Sequence, residues 1–319
     1  MIFRHVGAGP WPALILFGCL VASTTLAAAA ATDPEESVAQ ELVVTAKVRG
    51  PAWWRVSSPT STVYILGSPG ALPKGLKWDA TAMRRHLDGA NSLIGPPKVT
   101  AGLGDVFALI NIRRHFRSRT PMEDSLPPAL RARFLADRPI LTKDPKAYSN
   151  WTPLAAGLLM VADFRKQARL DRSEPQATVD RLARERNVKI VPAGVYKALP
   201  VLRAAESGLA TSGPACMADA LDEIEAGAGQ ARTAAEGWAR GNVGAALLAQ
   251  RGYEKCVNSL PEGADVITRS MNDSTTTIAQ ALTKPGHSVA VVNLRTLLAQ
   301  GGVLQRLKAQ GFKVVTPDQ

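Results

Sequence analysis

The sequence predicts an α/β fold: a central β-sheet built from N- and C-terminal strands, flanked by helices, with a large helical insertion over roughly residues 103–283. Three observations carry this. Val63-Tyr64-Ile65-Leu66 is a short run of β-branched, aromatic and apolar residues stopped by the turn residues Gly67-Ser68-Pro69-Gly70, the pattern of a buried strand. The stretch 175–186 has the spacing of a helix and passes through Asn187 into Val188-Lys189-Ile190-Val191, repeating the helix–turn–strand order of 79–94. Ser288-Val289-Ala290-Val291-Val292-Asn293 is the clearest strand of the C-terminal part.

The chain opens with Arg4, an apolar stretch over 11–26 and small residues over 27–31. That order predicts a secretory signal cleaved near Ala31, hence a periplasmic or secreted protein. Two other readings compete with it. One is a retained anchor, although the apolar stretch is short against the roughly 20 residues a span needs. The other is lipid attachment at Cys19 after Leu16-Phe17-Gly18, where Phe17 fits poorly. The remaining chain of about 288 residues suffices for one substantial core, so 51–319 reads as a single domain. Residues 32–50 read as a flexible N-terminal tail, either disordered or adding an edge strand through Leu42-Val43-Val44.

Within the domain, 53–57 and 61–68 pair as a hairpin across Ser58-Pro59-Thr60. Asp79 caps a helix over 79–89 with Met83 and Leu87 one turn apart, and Ser92-Leu93-Ile94 is a strand ended by Gly95-Pro96-Pro97. The insertion then offers helices over 103–117, 127–136, 151–170 and 175–186. Beyond the strand at 188–191 comes an array over 200–208, 216–227, 234–240 and 243–256, and a longer helix over 260–282 that Asn272-Asp273 could break. A helix over 303–310 closed by Gly311 and a last strand at Lys313-Val314-Val315 finish the domain. The helix at 151–170 is too interrupted to span a membrane, so no transmembrane span is expected after the leader.

Lys and Arg number 38 against 27 Asp and Glu, a net charge of +11; cleavage near Ala31 removes Arg4 and leaves +10. The basic residues, Arg113, Arg114, Arg117 and Arg119 among them, are spread through helices rather than gathered around aromatics. With a secreted address, that argues against a nucleic-acid partner. Cys216 and Cys256, the two cysteines left after cleavage, are too far apart for a Cys-x-x-Cys redox pair and read as a structural disulfide.

The stretch 51–79 resembles the start of the TraB/GumN family, relatives of the Tiki metalloproteases. There a Trp and an apolar strand lead into Gly-[Ser/Thr]-x-His, then Leu-Pro and a Trp. Trp54, Val63 to Leu66, Gly67, Ser68, Leu72-Pro73 and Trp78 match, but Gly70 stands where the family has histidine. The likeness extends to the C-terminus, through Gly301-Gly302, Leu304, Leu307, Gly311-Phe312 and Val314-Val315. Three further family positions depart. Gly95 and Ala193 stand where strands end in glutamate, and Arg295 stands at the second Gly-x-x-His histidine. The resemblance implies metal-dependent hydrolysis, which needs imidazoles and carboxylates around a cation. Gly and Ala carry no donor, and Arg repels a cation at close range. His86, His115 and His287 have no zinc-ligand spacing. The expectation is therefore no metal and no cofactor.

Three functions remain open from sequence. One is a non-catalytic protein that binds an anionic peptide or glycan at the old cleft, with Ser68, Asn293 and Arg295 as binding candidates. The second is a hydrolase with substituted chemistry drawn from Ser68, Asp79, Asn293 and His287, Ser68 and His287 forming a nucleophile–base pair; no Gly-x-Ser-x-Gly elbow frames Ser68. The third is an envelope assembly protein whose helical insertion, with its Arg113, Arg114, Arg117 and Arg119 cluster, is a contact surface; an exposed apolar patch on the insertion supports that reading and an evenly polar surface weakens it.

Overall fold

The computed structural model describes residues 33–46, 49–171, 175–260 and 262–317. The expected leader, with its expected cleavage region and Cys19, lies outside the described residues. The hairpin forms where alternation predicts it. Strand β1 (Trp53–Ser57) buries Trp54 and Val56, and β2 (Ser61–Ser68) buries Val63, Ile65 and Leu66. The Ser58 N–H donates to the Ser61 carbonyl at 2.9 Å and closes the turn.

After the short β3 (Leu72–Pro73) come helix α1 (Thr81–Leu87), β4 (Leu93–Gly95) and β5 (Lys98–Thr100). Helix α1 starts two residues later than the sequence suggested. Asp79 lies just before it and accepts the Thr81 N–H at 2.8 Å. Helices α2 (Val106–His115), α3 (Pro128–Leu141) and α4 (Pro153–Gln167) follow, then β6 (Leu170–Asp171), α5 (Gln176–Glu185), β7 (Ile190–Pro192) and β8 (Val195–Lys197). Asn187, at φ 56°, makes the tight turn from α5 towards β7, a conformation asparagine tolerates.

Next come α6 (Ala198–Ser207), α7 (Leu209–Ala239), α8 (Val243–Ala246), α9 (Gly252–Asn258) and α10 (Gly263–Ala281). The chain ends through β9 (Gly286–Asn293), α11 (Leu294–Leu298), α12 (Val303–Ala309) and β10 (Lys313–Val315).

The main sheet has six strands in the order β10-β1-β2-β9-β4-β7. Strands β10 and β1 run antiparallel to their neighbours; β2, β9, β4 and β7 run parallel. Central β9 buries Val289 to Val292 on both faces, the signature of a covered parallel strand. The parallel strands end on one edge of the sheet, at Ser68, Asn293, Gly95 and Pro192. Ser68 and Asn293 lie opposite each other in register. Gly67 is closely packed: a Cβ would stand 2.5 Å from Leu294 Cδ1 and 3.0 Å from the Trp54 ring, so a side chain there would displace Leu294, and the Trp238 indole N–H donates to the Gly67 carbonyl at 2.7 Å.

A second core lies within the insertion, where α3, α4 and α7 bury Phe134, Met160, Phe164, Met217, Leu221 and Ile224. A third, small cluster places Cys216 of α7 and Cys256 of α9 in disulfide-bonding position, their Cα atoms 4.4 Å apart. Among the described residues no helix is long and apolar enough to cross a membrane.

The strand read at 188–191 forms as β7, the edge strand of the main sheet. Other details differ from the sequence reading: the helix read over 243–256 is two, α8 and α9. The helix end read at Gly227 is present as a kink in α7 (φ 74°, ψ 169°), after which the chain is helical on to Ala239, and α10 runs unbroken past Asn272-Asp273. Residues 33–46, expected as a flexible tail, are seated on the domain. The Ala39 N–H donates to Leu298 O at 2.8 Å, Gln300 N–H donates to Ser37 O at 2.9 Å, and Ala39 and Leu42 join the main core. The physical reason is the acidic start of this segment, whose carboxylates find buried partners.

Candidate functional site

The strand ends at Ser68 and Asn293 open into a narrow cleft of about 60 Å³ that continues to solvent. Ligand sites of open α/β sheets fall at this carboxyl edge. The turn Ser68-Pro69-Gly70-Ala71 forms one wall, and Asn293 with the first turn of α11 forms another. The Asn293 side chain accepts the N–H groups of Arg295 (2.9 Å) and Thr296 (3.2 Å), fixing how α11 leaves the strand. Ser68 is an ordinary loop hydroxyl, donating to Pro69 O at 3.2 Å.

The insertion supplies the far walls with charged side chains. Arg165 of α4 bonds both oxygens of Glu223 at 2.6 and 2.9 Å and both of Glu254 at 3.2 and 2.9 Å. Burial works against the Arg165 charge, but Glu254 and Glu223 outweigh it and hold its pKa above the ordinary value. Arg251 donates to Glu35 at 2.8 Å and pairs with Asp33 at 3.1 Å. Glu35 also accepts from Asn258 (3.1 Å) and from the Thr296 hydroxyl (2.8 Å).

Arg295 stands apart from these pairs. Its guanidinium lines the cleft and donates to the Leu247 carbonyl, and among the described residues no carboxylate lies within ion-pair distance of it. Burial, and then the neighbouring Arg251 charge, lower its pKa from the ordinary value; Glu35, Asp33 and Glu254 oppose the shift. A guanidinium keeps its proton in proteins, so the group remains a cation.

The four family positions all lie near the carboxyl edge, in two pairs. Gly70 and Arg295 line the cleft. Gly95 and Ala193 meet at the next strand ends, where the Ala193 N–H donates to Gly95 O at 2.9 Å. A Cβ on Gly70 would stand 3.2 Å from Glu254 Oε1, so any side chain there would meet the Arg165–Glu254 pair. The residues present do not fit a divalent cation. Glu35, Glu223 and Glu254 are held by arginines, and among the described residues no group of three or more His, Cys, Asp and Glu could hold a metal.

The other candidates lie elsewhere. His287 pairs in register with Thr62, while Ser68 pairs with Asn293. Six residues of strand, about 20 Å, separate Ser68 from His287, so they form no nucleophile–base pair. His287 Nε2 lies 3.1 Å from the His86 carbonyl. His86 stacks on Tyr64 at 3.8 Å; its pKa is lowered to about 4 by burial and then by Arg85. His115 pairs with Glu206. Asp79 is fully exposed at the start of α1.

The sequence reading missed Glu35, Arg165, Glu223, Arg251 and Glu254. The one signal available was charge inside apolar stripes: Arg165 directly after Phe164, and Glu223 between Leu221 and Ile224.

The sequence model of the TraB/PrgY/gumN family matches residues 52–316, and the chain belongs to that family. No curated protein and no solved structure matches it.

Proposed function

We propose that this chain is a non-catalytic member of its family that works in the periplasm or outside the cell, with a cleft that takes the anionic group of a peptide or glycan. The single observation that carries the reading is Arg295, a largely buried cation in the cleft wall whose described partner is a backbone carbonyl. A carboxylate or phosphate entering the cleft would exchange that neutral acceptor for a charge-assisted pair. Support also comes from the donor set. Gly70, Gly95 and Ala193 offer nothing to a metal, and the cleft's carboxylates already serve arginines. The extracytoplasmic address rests on Arg4, the apolar stretch and the small residues up to Ala31.

The test is calorimetric titration of the purified chain with a short acidic peptide and with an oligouronate, alongside melting with Zn²⁺, Mn²⁺ or Co²⁺. Binding of one anionic probe that weakens about tenfold or more in Arg295→Gln, with no metal-induced rise in Tm, is the expected result. One tightly bound metal equivalent with a raised Tm would sink the reading. N-terminal sequencing of the exported protein should begin at Thr32.

A further inference from the structure

We infer that the groove between α2, α4 and α6 is a docking surface for an acidic amphipathic helix of a partner protein. The groove holds about 270 Å³ and is floored by Ile112, Phe116, Trp151, Leu158, Leu159 and Leu202. Leu202 is 36% exposed, and Ile110, one turn before the groove-lining Arg113, is 53% exposed. Apolar side chains gathered in one concavity mark a contact site more than the same residues scattered singly.

The rim is cationic. Arg117 lies over the Trp151 ring at 3.7 Å and Arg113 at 5.8 Å. Arg113, Arg114, Arg117 and Arg119 are all exposed. Among the described residues no carboxylate lies within ion-pair distance of any of them; the nearby Glu206 is paired with His115. Guanidiniums laid on an indole keep their N–H edges free for a carboxylate. An apolar floor with a charged rim is complementary to a ridge of leucine-like side chains at i, i+3, i+4 and i+7, flanked by Asp or Glu.

Shape and charge separate this occupant from two others. A bilayer surface is flat and would leave the floor of a concave groove unfilled. A second copy meeting this face about a two-fold axis would set the four arginines against their own equivalents. The inference is independent of the cleft at Arg295.

The experiment uses the full secreted chain and a fluorescein-labelled 20-residue peptide with a leucine stripe and glutamate flanks, read by anisotropy. Counterparts carrying Gln or Lys flanks, vesicles containing phosphatidylglycerol, and sedimentation equilibrium of the protein alone complete it. The Glu peptide should bind about tenfold or more tighter than the Gln peptide. Leu202→Asp should weaken it about tenfold with Tm unchanged, because Leu202 is partly exposed. The double variant Arg113→Glu/Arg114→Glu should transfer preference to the Lys peptide. Equal or absent binding of the Glu and Gln peptides, or insensitivity to both variants, overturns the inference. So does vesicle binding, or a monomer–dimer equilibrium, that Leu202→Asp abolishes in place of peptide binding.

Discussion

Glu35 and Arg251 are 216 residues apart in sequence and 2.8 Å apart in space. The pair joins the first described residues to the turn before α9, and both residues are under a tenth exposed. It also fixes Glu35 against Thr296, so the first described residues, the insertion and α11 meet at one carboxylate.

Removing that carboxylate leaves a buried guanidinium with, among the described residues, only Asp33 as charged partner. Glu35→Ala should destabilise the protein by about 3–5 kcal/mol, the cost of breaking a buried pair from one side. Urea denaturation of the two proteins measures it. A loss below about 1 kcal/mol would mean that residues 33–46 are not seated in solution as they are here.

Gly252 begins α9 with its Cα against α7. A Cβ there would stand 2.3 Å from the Asp219 carbonyl oxygen and 2.9 Å from Glu223 Oε2. A backbone carbonyl within a helix cannot swing aside, so Gly252→Ala must move α9. The expected cost is about 1–3 kcal/mol or somewhat more, with loss of the Arg165–Glu254 bond. Gly229→Ala, at an exposed helical position where nothing lies within 4 Å, should instead stabilise the protein, read from its melting curve, by about 0.4–1 kcal/mol.

Cys216 and Cys256 bracket 40 positions. On the chain-entropy account a disulfide there contributes about 4 kcal/mol. Dithiothreitol should therefore lower Tm in the parent and have no effect on Cys216→Ala/Cys256→Ala. Unchanged melting of the parent under reductant would mean the bond does not form.

The main sheet was legible because strands leave local marks: Val63 to Leu66 and Val289 to Val292 are apolar runs bounded by turn residues. The kink at Gly227 was legible as well, since a glycine between two helical stretches reads as a stop, and its φ of 74° breaks α7 there. The cleft was half legible. Gly70, Asn293 and Arg295 follow strands that can be found from sequence, and the resemblance drew attention to them. Arg165, Glu223, Arg251 and Glu254 sit on helices whose packing is non-local, and ion pairs 58 or 89 residues apart carry no spacing signal. Glu35 was placed in a tail because an acidic opening looks solvated until a buried arginine is known to face it.

Asp219 and His86 should pull the pH dependence of stability in opposite directions. Burial raises the Asp219 pKa from 3.8 to about 6, Asp222 and Asp33 add to it, and Lys255 and Arg251 oppose. The folded protein then binds a proton that the unfolded chain has released, so this stability is full below about pH 3.8 and is lost as pH rises through 6. His86 is the reverse. Its pKa falls from 6.5 to about 4, so its contribution is full above pH 6.5 and is lost as pH falls through 4. Over the shared window the two slopes offset, which makes each visible only in a variant. The stability of Asp219→Asn relative to the parent should grow between about pH 4 and 6 and level off above. That of His86→Gln should grow as pH falls across 6.5 to 4, on top of a constant loss from the Tyr64 stack. Urea midpoints at half-unit pH steps measure both. Parallel curves for Asp219→Asn and the parent would show that Asp219 titrates as an exposed carboxylate, and that α7 and α9 admit water between them.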